Sequence, residues 1–297
     1  MRASRRFAIR HETVYEYQGD VAHAHQLLHL SPRACPQQVT WRHELRLDPA
    51  PASREDSLDA FGNFISRLEF DRPHRRLAVV AESEVEVHAR PDLDAGATAP
   101  WEHVRESLSY RPQPAEPERL FACAFRLESP YVRVKDAFAD YARDCFGPAR
   151  PILAAAEALM VKLHREFAYS PGETTIATPL LDVLARRRGV CQDFAHVMIA
   201  CLRALGLAAR YVSGYLKTTR ADASQARGTD ASHAWVGVYC PPFGWIDLDP
   251  TNALHVAAGH VTLAWGRDFA DVSPLRGVLL GGGSHSLEVR VAVAPLD

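Results

Sequence analysis

Over residues 7–87 the hydrophobic pattern has a period of two. Phe7, Ile9, His11, Thr13, Tyr15 and Tyr17 fall on one face of an extended segment, as do Val39, Trp41, His43, Leu45 and Leu47, and later Leu77, Val79, Ala81, Ser83, Val85 and Val87. Alternation of this kind, punctuated by Pro, Asp and Gly-Asn, predicts an antiparallel β domain. Residues 89–130 are rich in Pro, Ala, Glu and Asp and keep no sustained period, which predicts a connection over the surface with one short helix. The period then lengthens to three and four. Residues 134–146 (Ala137, Phe138, Tyr141, Cys145) and 152–167 (Leu153, Ala156, Met160, Leu163, Phe167) read as amphipathic helices. A third helix carries Leu180, Leu181 and Leu184, with Thr178 as N-cap and Pro179 in the first helical position. The fourth opens at Cys191, buries Phe194, Ala195, Met198, Ile199, Leu202 and Leu205, and stops at Gly206. Alternation returns at 210–216, 233–239 and 245–249, and again at Leu287, Val289, Val291 and Val293 after the break Gly281-Gly282-Gly283. Four segments result: an N-terminal β domain over 1–90, a connecting segment over 91–130, an α+β core over 131–255 and a C-terminal extension over 256–297 with a final strand.

A chain of 297 residues is long for one hydrophobic core, in keeping with two domains. With 47% hydrophobic and 24% charged residues, a net charge of −2 and no block of like charge, nothing favours a nucleic acid or an anionic membrane as partner. The stretch MRASRRFAIRHETVYEYQ is basic at first but passes straight into alternation, unlike a signal peptide. No apolar run approaches the ~20 residues that span a bilayer, so a soluble, cytoplasmic protein is expected. The six cysteines include no CxxC pair, which predicts free thiols rather than a disulfide framework.

One of those thiols is placed for chemistry. Cys191 would sit at a helix N-terminus, where unpaired N–H groups and the dipole stabilise a thiolate, and Gly189 before it would let a substrate backbone approach. A cysteine at a helix start is more often a small buried hydrophobe, so a base is needed. The segment DASHAWVGVYCPPFGWIDLDPTN supplies one. It reads as a β-hairpin looping through Pro-Pro-Phe-Gly. A hairpin centred on Pro241 sets His233 opposite Asp249, and one centred on Pro242 makes them diagonal neighbours on one face; both are within cross-strand reach, about 4.5 to 8 Å. Cys191, His233 and Asp249 could thus act as nucleophile, base and orienting carboxylate, with the Cys191 N–H as first oxyanion donor and Tyr169 or Gln192 as second. Asp247 shares the face of His233 and is second choice for the carboxylate, while Asp193 reads as a first-turn charge that offsets the dipole. A zinc site from Cys191, His196 and Cys201 is excluded, because the three lie at about 0°, 140° and 280° around one helix. His23, His25 and His29 read as surface imidazoles, Trp235 and Trp245 as packing for the hairpin, and Arg186 to Arg188 as a solvated helix end.

The segments GVCQDFAHVMIACLRALGLAARYVSGYL, SHAWVGVY and GWIDLDPTN resemble the core of the transglutaminase-like superfamily, in particular its bacterial two-domain members. The likeness extends to Asp59-Ala60-Phe61-Gly62-Asn63, to residues 167–174 and to residues 266–277. It implies an α+β fold, a papain-like core preceded by an N-terminal β-sandwich-like domain, with Cys191 as nucleophile, His233 as base and Asp249 as third member. It also implies a peptide or protein amide as substrate, a thioester intermediate resolved by water or an amine, and as a partner an ATP-grasp-like ligase system, beside which members of this group are often encoded. No cofactor or metal is expected, since nothing resembles the calcium-binding acidic loops of animal transglutaminases; the tryptophan that assists their oxyanion also lacks a clear counterpart. The alternative is an idle binding module on the same scaffold.

Overall fold

A computed structural model describes residues 4–90, 93–109, 116–217 and 232–296. The N-terminal region is built on one long strand, β1 (Ser4–Leu28), followed by β2 (Gln38–Asp48), β3 (Ser53–Leu58), β4 (Phe64–Phe70) and β5 (His74–His88). Its register with β5 shifts between Glu16 and Val21. Past that irregularity the buried side chains of β1 change parity, from Phe7, Ile9, His11 and Thr13 to Ala24, Gln26 and Leu28. Leu77, Val79 and Ala81 then share a core with Val21, Ala24, Leu68 and Phe70, so one sheet closes over its own interior.

Two helices cross the connecting segment, α1 (Trp101–Ser107) and α2 (Pro117–Ala124). The expectation of a surface connection with one helix is corrected: Val104, Leu108, Ala122 and Phe125 are buried in the main core. Helices of seven and eight residues are too short for a period to show in the sequence. Beyond them lie α3 (Asp136–Ala142), α4 (Ile152–Glu166), β6 (Ala168–Tyr169), α5 (Leu180–Arg186), β7 (Arg188–Gly189) and α6 (Cys191–Ala204). Gly206, at φ +79°, lets the chain turn off the end of α6.

The second sheet comprises β8 (Ala209–Leu216), β9 (Ser232–Tyr239), β10 (Trp245–Asp249), β11 (Leu254–His255) and β12 (His260–Gly266), in the order β11-β10-β9-β8-β12. Helix α6 packs on β8 and β9 and buries Phe194, Ala195, Met198, Ile199 and Leu202 of the stripe read from the sequence, while Leu205, just past its end, is half-buried. A short helix, α7 (Phe269–Val272), leads to β13 (Leu275–Gly281) and β14 (His285–Leu296). Both pair with β1, end to end along the side that β4 and β5 leave free. The C-terminal extension is therefore divided: β12 completes the second sheet, and β13 and β14 complete the first.

The fold is α+β, and the two sheets share one core, since Phe7, Ile9, Val85, Val87 and Val293 pack with residues of α4, α6 and β8. His11 and Tyr215 are joined across that boundary by a buried hydrogen bond of 2.8 Å. Among the described residues no helix is long and apolar enough to cross a membrane.

Candidate active site

The start of α6 is fixed by Asp193 and by a pair of two-residue strands. Val190, in extended conformation, donates its N–H to Asp193 Oδ2 at 2.8 Å, and the Thr174 hydroxyl donates to the same oxygen at 2.7 Å. Parallel β6 and β7 clamp the approach to Cys191, with Ser170 N–H donating to Gly189 O at 2.9 Å. The reason for Gly189 differs from the one the sequence suggested. A Cβ there would lie 2.4 Å from Asp193 Oδ2, so the glycine makes room for the folded-back carboxylate. Burial raises the pKa of Asp193, and its two hydrogen bonds oppose that.

Cys191 is half-buried at the first position of α6. Tyr169 lies beside it: burial chiefly, and then the neighbouring Cys191, raise the Tyr169 hydroxyl. Gln192 is half-buried at the next position.

Leu248 pairs with Val236 and Trp245 with Tyr239, the register centred on Pro242, so His233 and Asp249 are diagonal neighbours. His233 Nε2 bonds Asp249 Oδ2 at 2.8 Å, with both side chains fully buried. The nitrogen left for the thiol is Nδ1, which has no partner of good hydrogen-bond geometry. Burial alone would lower the His233 pKa, but the Asp249 charge, the Asp249 hydrogen bond and the nearby Cys191 outweigh it and raise the imidazole to about 10. Asp249 shows the mirror-image balance: burial pushes it up, and His233 and then His260 hold it well below the carboxylate range. It also accepts Thr251 N–H (2.9 Å) and Asn252 N–H (3.2 Å) at Oδ1, and Asn252 Nδ2 (2.8 Å) at Oδ2. A second imidazole, His260, reaches Oδ2 from 3.4 Å; no motif in the sequence pointed to it.

Asp247 is committed elsewhere. It pairs with Arg90 and lies 3.5 Å from Arg210, whose guanidinium sits 4.6 Å from the Trp245 ring and 3.8 Å from the Trp265 ring. His196 accepts the Phe269 N–H at 3.2 Å and stacks on Tyr131, a packed core histidine. His29 departs from the surface reading: it is buried, with Nδ1 bonded to Ser273 O at 3.1 Å and Nε2 3.5 Å from Asp59, while His23 and His25 are exposed. All six cysteines are free thiols.

Known proteins show the same division. The bacterial transglutaminase-like N-terminal region matches residues 7–86, and the transglutaminase-like superfamily core matches residues 139–250. A Mycobacterium tuberculosis protein of unassigned function is 38% identical over 301 residues, covering 98% of this chain and 93% of the relative. A protein-glutamine gamma-glutamyltransferase of Pseudomonas aeruginosa is 32% identical over 108 residues, 33% of this chain and 16% of that protein. A crystal structure from Cytophaga hutchinsonii, described as a candidate cysteine protease, superposes with a TM-score of 0.76 at 22% identity, covering 99% of this chain and 92% of that one.

Proposed function

Because the chain belongs to the transglutaminase-like superfamily, whose members include cysteine proteases and transglutaminases, we propose that it is a cysteine-dependent acyl-transfer enzyme acting on a peptide or protein amide. The observation that carries this reading is His233, buried between the Asp249 carboxylate and Cys191 and raised to about 10 by them. An imidazole made this basic is a competent acceptor for the thiol proton. Cys191 attacks the amide carbon as its proton passes to His233. The Cys191 N–H, at the helix start, and the Tyr169 hydroxyl beside the sulfur are the donors for the developing oxyanion. His233 gives its proton to the departing amine, which leaves a thioester on Cys191 and a neutral imidazole. That imidazole next takes a proton from the incoming water or amine as it attacks the thioester. Asp249 fixes the ring orientation throughout. We favour water as acceptor, since transfer to an amine needs a second exclusion of water, which we locate in no element among the described residues.

Alkylation tests the first half of this scheme. Iodoacetamide at neutral pH should label Cys191 ahead of the other thiols, because burial raises Cys145 to about 11 and also raises Cys35, Cys201 and Cys240. Cys191→Ala should remove the fast phase entirely. Equal reactivity of all six cysteines would instead favour an idle binding module. Trapping the acyl-enzyme with labelled peptides and amines, read by mass spectrometry, identifies the acceptor.

A further inference from the structure

We propose that His260 is a positioning residue that donates its Nε2–H to Asp249 and so extends the Cys191, His233, Asp249 series by a fourth member; the inference rests on the catalytic reading above. Strands β10 and β12 are separated in the sheet by β9 and β8, yet the turn ahead of β12 brings His260 across that end of the sheet to Asp249 Oδ2 at 3.4 Å. The same turn fixes which nitrogen carries the proton. Ala257 N–H donates to His260 Nδ1 at 3.3 Å, and His260 N–H donates back to Ala257 O at 3.0 Å. A nitrogen that accepts a backbone N–H is bare, so the ring proton resides on Nε2, aimed at the carboxylate.

Packing holds the ring there. His260 is 4% exposed and meets the fully buried Trp235 edge to face, with centroids 5.3 Å apart at 81°. Trp235 has space because the facing strand carries Gly214, where a Cβ would lie 2.4 Å from the indole Cη2. With His233, Asn252 and His260 on Oδ2, and two backbone N–H groups on Oδ1, the carboxylate has no freedom to rotate away from His233.

The polar atoms of His233, Asp249 and His260 lie within 4.8 Å of one another, close enough to suggest one bound cation. Coordination would need a bare Nε2 on His260 and therefore a proton on Nδ1, directed at the Ala257 N–H that now donates to it. The hydrogen-bonding arrangement favours a carboxylate support over a metal ligand.

The test uses the full chain and the Cys191 alkylation rate, with thermal melting as the control for folding. His260→Gln keeps a donor near the Nε2 position, and His260→Leu keeps the bulk without one. Leu should slow alkylation about tenfold or more and move its pH profile, and Gln should stay within about threefold of wild type, as loss of a hydrogen bond to a buried charge requires. Equally fast alkylation in wild type and His260→Leu would overturn the proposal alone. A wild-type Cys191 no faster than Cys123 would overturn the catalytic reading and the proposal with it. Should the Leu variant not fold, long-range 1H–15N correlation of 15N-histidine in the wild type decides. An Nε2–H tautomer for His260 is the expected result, and an Nδ1–H tautomer, or joint displacement of the His233 and His260 signals by added Zn2+, would overturn the assignment.

Discussion

Asp249 keeps its charge in a fully buried position because four donors and the His233 imidazolium surround it, and that balance makes the site sensitive to pH. The His233 pKa rises from 6.5 to about 10 on folding, so its pairing stabilises fully below 6.5 and is lost as pH climbs through about 10. Asp249 behaves oppositely: its folded value is depressed, so its contribution is complete above 3.8 and is lost only in strong acid. Melting temperature measured from pH 6 to 10.5 should therefore fall toward the alkaline end, and His233→Gln should flatten that fall. The place of Cys191 at the start of α6 and the pairing of His233 with Asp249 were legible in the sequence because helix phase and hairpin register are local properties. His260 was not, since its role depends on a turn that carries β12 past the end of two intervening strands. His29 was misread for a related reason: its partners, Asp59 and Ser273, come from distant parts of the chain.

At the level of elements, the junction β7–α6 is a tightly packed joint. The Asp193 carboxylate occupies the space a side chain at position 189 would need. Gly189→Ala should cost about 1–3 kcal/mol, the usual range for overpacking, and should slow Cys191 alkylation because the displaced carboxylate releases Val190 and Thr174 together. Chemical denaturation and the alkylation rate check the two effects separately. A glycine two positions before Cys191 was visible in the sequence, but its cause was not, because a residue's effect on a carboxylate four positions later depends on how the helix start folds back.

The whole molecule is joined by a polar seam. Asn63, fully buried at the tip between β3 and β4, accepts from Arg33 (2.7 Å) and Trp265 N–H (3.0 Å) through Oδ1, and donates to Asp59 (2.8 Å) and Trp265 O (2.8 Å) through Nδ2. Arg33 and Arg210 both lie over the Trp265 ring, at 3.6 and 3.8 Å. Asn63→Leu would strand several buried polar groups at about 1–3 kcal/mol each. It should lower the melting temperature and open the seam to limited proteolysis, while a change at exposed Arg42 should do neither. The sequence marked residues 59–63 as a unit, but a single chain cannot reveal a partner some two hundred positions away. The placement of β13 and β14 carries the same lesson into synthesis. Residues 275–296 are synthesised after the other strands described above, and until they emerge the side of β1 that they cover lacks those partners. A nascent chain stalled before them would offer that bare side to neighbours on the polysome, so β1 needs shielding until β13 and β14 have emerged.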